Sequence, residues 1–370
     1  MTTKRVNILL ALAVSIVCIV MAELCAAFLF EHGKSLTGKR LVKNALKYGG
    51  RFTWNRDGYI IPHPYLLYTL NPGYEEYGFT QVNALGYRGH EIPLAKPEGT
   101  YRILCLGGST TFSFPYIQDP SKAWPALLES ELNERYPGRR FDVVNAGLPY
   151  GTSAEMLAGY MFRHRYLHPD MVIVNEGGND AAPLFYENYN PEYTHFRSGG
   201  VRILTGPIER FLLHSHVFRV FFAYYWRNIP TVYVPEPYGA EDLDRQATLE
   251  RVQKTYPAGF ERNLDLLMRT ARADGAKVML VGFVTPREEN MAKNWPWQKG
   301  LEHATAIGTR KNLAVMDSLA AVHGAPYLSP SDFHTEDEWF LDGCHLNEEG
   351  ERAKSEWILG GVVRLLERAP

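Results

Sequence analysis

The sequence predicts an α/β fold, a three-layer α/β/α sandwich with a mostly parallel sheet, preceded by one N-terminal transmembrane helix. Three observations predict it. From about residue 100, short apolar runs of strand length alternate with helical stretches, the rhythm of a parallel sheet covered on both faces. Ahead of them lies an apolar run, Ile8 to Phe30, long enough for a bilayer. Glycine- and asparagine-bearing segments follow the predicted strands, where open α/β sheets bind ligands. With 45% hydrophobic residues over 370 positions, disordered, collagen-like and small disulfide-framework classes are excluded. A net charge of −2 gives no basic excess for nucleic acid.

The 23 residues from Ile8 to Phe30 are interrupted only by Ser15 and Glu23. As a helix they span roughly 34 Å. Lys4 and Arg5 precede them, and the run exceeds a usual secretory core, so an uncleaved anchor over residues 1–30 is expected. Residues 31–98 read as a basic juxtamembrane connector followed by an irregular segment rich in Tyr, Pro and Gly, with a few short strands. Lys34, Lys39, Arg40, Lys43 and Lys47 follow the span. Read literally, their charge would keep the next domain in the cytoplasm, but large domains translocate largely regardless of such charges. An extracytoplasmic, periplasmic-side domain is the expectation, with sidedness undecided by the residues themselves. Cys18 and Cys25 lie in the span, and Cys105 and Cys344 read as two free thiols.

The main domain is expected over 99–370. RILCLG (102–107) is a buried strand, 122–138 a helix stopped by Pro137 and Gly138, and FDVVNAG (141–147) a second strand. A helix over 152–166 and the strand MVIVNEGG (171–178) follow. An insertion, about 181–256, breaks the rhythm. Beyond it come a helix at 257–274, the strand KVMLVGF (277–283), a helix around 303–322, and a final helix over 347–367.

Four segments would converge on the carboxyl edge of the sheet: Gly107-Gly108-Ser109-Thr110-Thr111, Asn145-Ala146-Gly147, Gly177-Gly178-Asn179-Asp180 and Asp342-Gly343-Cys344-His345-Leu346-Asn347. Serine is a weak nucleophile at its own pKa, so Ser109 needs a base. His345 can take and return its proton, and Asp342 can fix the ring's tautomer. The N–H groups of Ser109 and Gly147 and the amide of Asn179 can stabilise a developing oxyanion.

These blocks, GGST, NAG, GGND and DGCH, resemble the SGNH (GDSL-like) hydrolase family over roughly residues 100–368. The resemblance implies Ser109 as nucleophile, Asp342 and His345 as the rest of a triad, and Ser109, Gly147 and Asn179 as the oxyanion hole. The segment 83–112 also looks like bacterial members carrying a membrane anchor. One departure is visible: the family's Gly-Asp-Ser reads Gly-Gly-Ser here.

Other candidates read more plainly. His214 and His216 are packing or surface residues, and His164 with His168 lacks further metal ligands. Asp180 caps or orients its loop, Cys344 is structural, and Glu336, Asp337 and Glu338 form a solvated face. No cofactor or metal is implied. The aromatic stretch 210–230 reads first as an extra packed helix, then as the wall of an acyl pocket, then as a membrane-interface helix. The expected function is a membrane-anchored serine esterase acting on an acyl ester, with acylated glycan or lipid as candidate substrates and the oligomeric state open. The alternatives are an O-acyltransferase or deacetylase of envelope polysaccharide, and a silent glycan- or lipid-binding module. The intact Ser109, Asp342 and His345 speak against the last.

Overall fold

The structure is a computed structural model that describes residues 3–36, 59–63, 65–196, 212, 214–218, 243–294 and 299–367. The chain forms two compact units, Met1–Pro64 with Gly199–Val234, and Tyr65–Ser198 with Pro235–Pro370. In the first, helix α1 (Thr3–Leu36) contains the stretch Val6–Phe28, long and apolar enough to cross a membrane. Its large side chains face outward, Ile19 at 68% exposure. Residues 37–58, with most of the expected basic connector (31–50), and most of the aromatic stretch 210–230 lie outside the described residues.

The second unit is built on a five-stranded parallel sheet: β1 (Thr100–Gly107), β2 (Arg140–Gly147), β3 (Met171–Glu176), β4 (Lys277–Gly282) and β5 (Tyr327–Leu328), in the order β2-β1-β3-β4-β5. Its helices are α2 (Ser109–Phe112), α3 (Trp124–Arg135), α4 (Ser153–Phe162), α5 (Arg245–Lys254), α6 (Ala258–Ala273), α7 (Glu302–His323) and α8 (Glu348–Glu367).

Both sheet faces are apolar because successive strand residues point to opposite sides. Leu104, Leu106, Val172, Val174, Val278 and Leu280 pack on α4, α6 and α7. Ile103, Cys105, Met171, Ile173, Met279 and Val281 pack on α3 and α8 through Trp124, Leu128, Leu132, Ile358 and Val362. The parallel sandwich is therefore as expected, and the predicted strands and helices recur within a few residues.

Three elements are not expected from the sequence, the first being α2, which stands where the glycines after β1 predict only a tight turn. Strand β5 pairs only through Tyr327 and Leu328, too short for a periodic signal. Helix α5 lies inside the expected insertion. Its sequence, RQATLERVQK, is polar except for Ala247, Leu249 and Val252. Val252 and Thr248 are fully buried, Val252 beside Leu184, Phe185 and Ala304. Asp244 caps this helix by accepting the Ala247 N–H at 2.7 Å. Residues 65–98 form short strands and turns on this unit, and Arg88 bridges to Asn145 of β2.

At the opposite end of the sheet from the glycine-bearing edge, Arg102 is fully buried. It meets Asp142 at 3.0 Å and the carbonyls of Leu167, Leu94 and Pro93. Removing one partner of such a pair leaves an uncompensated buried charge. Asp142→Ala is therefore expected to lose about 3–5 kcal/mol of stability, read as a lower guanidinium midpoint. A shift indistinguishable from that of a surface substitution would contradict it.

Candidate active site

The site begins with strand register. Gly107 sits opposite Gly147 of β2 on one side and Asn175 of β3 on the other, so the three strands end level. The chain then turns directly into α2, whose first residue is Ser109. As the first N–H of that helix, Ser109's amide has no acceptor within it. Two glycines let the turn close. A Cβ on Gly108 would lie 2.4 Å from Asn179 Nδ2, and one on Gly147 would lie 2.3 Å from the Phe112 backbone nitrogen. Asn179's amide thus packs on the residue before Ser109, and α2 packs on the end of β2.

The predicted donors carry contacts of their own. Gly147 N–H donates to Asn145 Oδ1 at 3.0 Å, and Asn179 Nδ2 donates to Gly151 O at 2.8 Å. The Asn179 amide has a second hydrogen to offer. Its loop is held by Glu176, the last residue of β3, whose Oε1 accepts the Asn179 N–H at 2.9 Å. Burial pushes the Glu176 carboxyl well above its usual range, with Asp180 adding to the shift. Asp180 is also buried. It accepts Ser153 N–H and Oγ–H at 2.8 and 2.6 Å and the Tyr193 hydroxyl at 2.6 Å. It thereby ties the loop to the start of α4. Burial pushes it up to about 6.

Asp342 and His345 lie together just before α8, exposed only 1% and 6%. His345 Nδ1 is 2.8 and 3.0 Å from the two Asp342 oxygens, and Asp342 Oδ1 also accepts the N–H groups of Cys344 and His345. An ionised carboxylate only accepts, so Nδ1 carries the proton and Nε2 is the basic nitrogen. Burial alone would raise the Asp342 carboxyl. The hydrogen bonds and charge of His345, with a hydrogen bond from Tyr116, more than offset it and leave the carboxyl below its usual range.

Tyr116, not singled out in the sequence, also stacks on the His345 ring at 4.3 Å and 18°. It lies seven residues after Ser109, on the segment leaving α2, so that segment and the imidazole are connected through it. A second connection runs beneath. Lys354 of α8 is buried, with Nζ 3.3 Å from Thr110 O and 2.7 Å from Asn175 Oδ1. Glu351 accepts Ser113 Oγ–H at 3.0 Å and Trp124 N–H at 2.7 Å.

Asp342, Cys344 and His345 could present three ligand atoms within 4.8 Å. The set does not suit a metal: the carboxylate is occupied by four donors, the N–H groups of Cys344 and His345, His345 Nδ1 and the Tyr116 hydroxyl, and desolvation pushes the Cys344 thiol up, away from the thiolate a metal needs. Cys105 and Cys344 form no disulfide. The remaining sequence candidates sit elsewhere. His164 Nδ1 meets the Tyr87 hydroxyl at 2.9 Å, and desolvation followed by the Arg163 charge pushes it down to about 3. His168 is exposed. Glu336 pairs with His334 at 2.6 Å, and Asp337 pairs with Arg287.

A family model described as the GDSL-like Lipase/Acylhydrolase family matches residues 105–353. The chain belongs to that family and is a serine hydrolase of esters. No curated protein matches the sequence. Among solved structures, a lipase/acylhydrolase from Enterococcus faecalis is similar at 15% identity and TM-score 0.40, over 71% of this chain and 95% of that one. A catalytic mutant of an acetylxylan esterase from Geobacillus stearothermophilus is similar at 13% identity and TM-score 0.39, over 71% and 94%.

Tyr116→Phe keeps the stacked ring but removes a donor to Asp342, so the Asp342 carboxyl should rise toward the ordinary range. A lowered carboxyl contributes stability above its unfolded value and loses it as pH falls through the folded value. The acid-unfolding midpoint of Tyr116→Phe should therefore move to higher pH, read by circular dichroism. An unchanged midpoint would show that the hydroxyl does not hold Asp342.

Proposed function

We propose that the chain is a membrane-anchored serine esterase that hydrolyses carboxylic O-acyl esters through an acyl-enzyme, with Ser109, His345 and Asp342 as its triad. The observation that carries this is the buried Asp342–His345 pair. Its Nδ1–H is committed to the carboxylate, which makes Nε2 the nitrogen available as a base. His345 takes the Ser109 proton as Oγ attacks the ester carbonyl, and Asp342 stabilises the imidazolium that forms. The tetrahedral intermediate's oxyanion accepts from Ser109 N–H, the second hydrogen of the Asn179 amide and Gly147 N–H, the last of these shared with Asn145. His345 then protonates the leaving alkoxide. Water, deprotonated by the same histidine, resolves the acyl-enzyme in the second half-reaction.

The apolar stretch Val6–Phe28 supports the anchor: 23 helical residues cover a hydrocarbon core of about 30 Å. It would hold the hydrolase unit on the extracytoplasmic side, against the bilayer surface, where acylated lipids and envelope glycans are the esters in reach.

Hydrolysis of p-nitrophenyl acetate by the full chain in detergent tests the chemistry. Ser109→Ala and His345→Ala should fall to background, while Asn179→Ala should keep serine chemistry with kcat lower by about 100- to 1000-fold. Wild-type turnover by Ser109→Ala would overturn the triad. Unchanged kcat in Asn179→Ala would remove that amide from the oxyanion hole.

A further inference from the structure

Glu23 is the only charged residue between Val6 and Phe28. Within the first compact unit it is surrounded by donors from a segment almost two hundred residues away. Its Oε2 accepts the Ser215 hydroxyl at 2.8 Å and the Val217 N–H at 3.2 Å. Its Oε1 accepts the His216 N–H and faces His216 Nδ1 at 2.9 Å. The turn is closed on itself, with Ser215 N–H donating to Leu212 O at 3.0 Å and Phe218 N–H donating to Ser215 Oγ at 3.1 Å.

We propose that the turn carrying Ser215, His216 and Val217 is a second membrane-embedded element, clasped to the anchor helix by Glu23 and touching lipid through Leu212 and Val217. The inference rests on the anchor reading given above. If Val6–Phe28 spans the bilayer, Glu23 lies five residues inside its end, about 7.5 Å deep at 1.5 Å per residue. Groups within hydrogen-bond distance of Glu23 share that depth.

The chemistry of the pair fits such a place. A carboxylate in hydrocarbon is costly unless it faces donors, and it marks a site where another part of the protein packs. His216 and Val217 open a helical turn, and the first N–H groups of a helix have no acceptor inside it, so at membrane depth they need one from elsewhere in the protein. Glu23 and the turn meet each other's requirement. The neighbouring side chains are those a bilayer accepts: Leu212 and Val217 are exposed at 36% and 39%. The chain leaves the hydrolase unit after Ser198 and returns at Pro235, so the enzyme would be tethered to lipid at two points of its sequence.

The test is depth measurement in the full chain, reconstituted into phosphatidylcholine–phosphatidylglycerol vesicles with lipids brominated along their acyl chains. Cys18 and Cys25 are replaced by Ser, and an environment-sensitive fluorophore is attached at Val217→Cys or, as the anchor control, at Leu12→Cys. Signal from the parent without either cysteine is subtracted. Turnover of p-nitrophenyl acetate reports that each variant's hydrolase unit is folded.

Emission at both positions should shift to the blue and be quenched by the brominated lipids. Adding Glu23→Ala should return the Val217 label to a red-shifted, unquenched state and leave Leu12 quenched. Quenching at Leu12 without quenching at Val217 would overturn the embedded turn while the anchor stands. No quenching at either position would overturn the anchor and the inference with it. Quenching at Val217 that survives Glu23→Ala would overturn the clasp.

Discussion

The register that sets Gly107 between Gly147 and Asn175 is the constraint on which the rest of the hydrolase unit depends. Three parallel strands that end level give their following loops one shared floor. Asn175 fixes that floor from within. Its Oδ1 accepts Lys354 Nζ at 2.7 Å and Thr111 Oγ1–H at 3.4 Å, and its amide donates to Val281 O at 3.2 Å. One buried side chain thus connects β3, β4, α2 and α8. A one-residue slip of β3 would turn it to the other face of the sheet and detach it from β4, α2 and α8.

A polar layer beneath a catalytic edge is costly unless every group has a partner, because the low local dielectric strengthens satisfied bonds and penalises missing ones. Around Lys354 the layer is held by charge as well as by hydrogen bonds, although Thr110 Oγ1 and Trp124 Nε1 are buried without a hydrogen-bond partner. Desolvation pulls Lys354 down to about 8, and the Glu351 carboxylate beside it works in the opposite direction. Burial raises Glu351, and Lys354 counters that shift. The arrangement ties the turn that carries Ser109 to α8. Ser109 itself is only half-buried, while Thr110, Ser113 and Trp124 around it are held by α8. The same logic governs the Asn179 loop, where Glu176 and Asp180 supply acceptors on either side of the glycines.

Much of this was legible in the sequence, because strands buried on both faces read as continuous apolar runs and each was followed by its own short polar block. RILCLG, FDVVNAG and MVIVNEGG could be placed to within a residue or two. The polar blocks that follow these strands are legible in the same way, and they are what point to Ser109, Gly147 and Asn179, with Asp342 and His345 ahead of the last helix. What escaped has a common cause: supporting residues are recognised only by the company they keep in space. Tyr116 lies in an irregular stretch with no period to mark it. Asn175 and Glu176 were visible as polar residues in an otherwise apolar strand, a signal that was available but not used. Lys354 was legible too, since Glu351, Lys354, Ser355, Ile358 and Val362 share one helix face, and a lysine there must be buried. Glu23 reads in the sequence only as an interruption of the apolar run, and nothing local links it to Ser215 or His216.

The central claim is that Ser109 is the activated nucleophile of this fold. The most direct measurement is intact-mass and peptide-level mass spectrometry of the full chain after exposure to a fluorophosphonate, which phosphonylates only an activated serine. One adduct on the peptide carrying Ser109, absent from Ser109→Ala and strongly slowed in His345→Ala, is the predicted result. Labelling that persists in Ser109→Ala, or that maps to another residue, would contradict it.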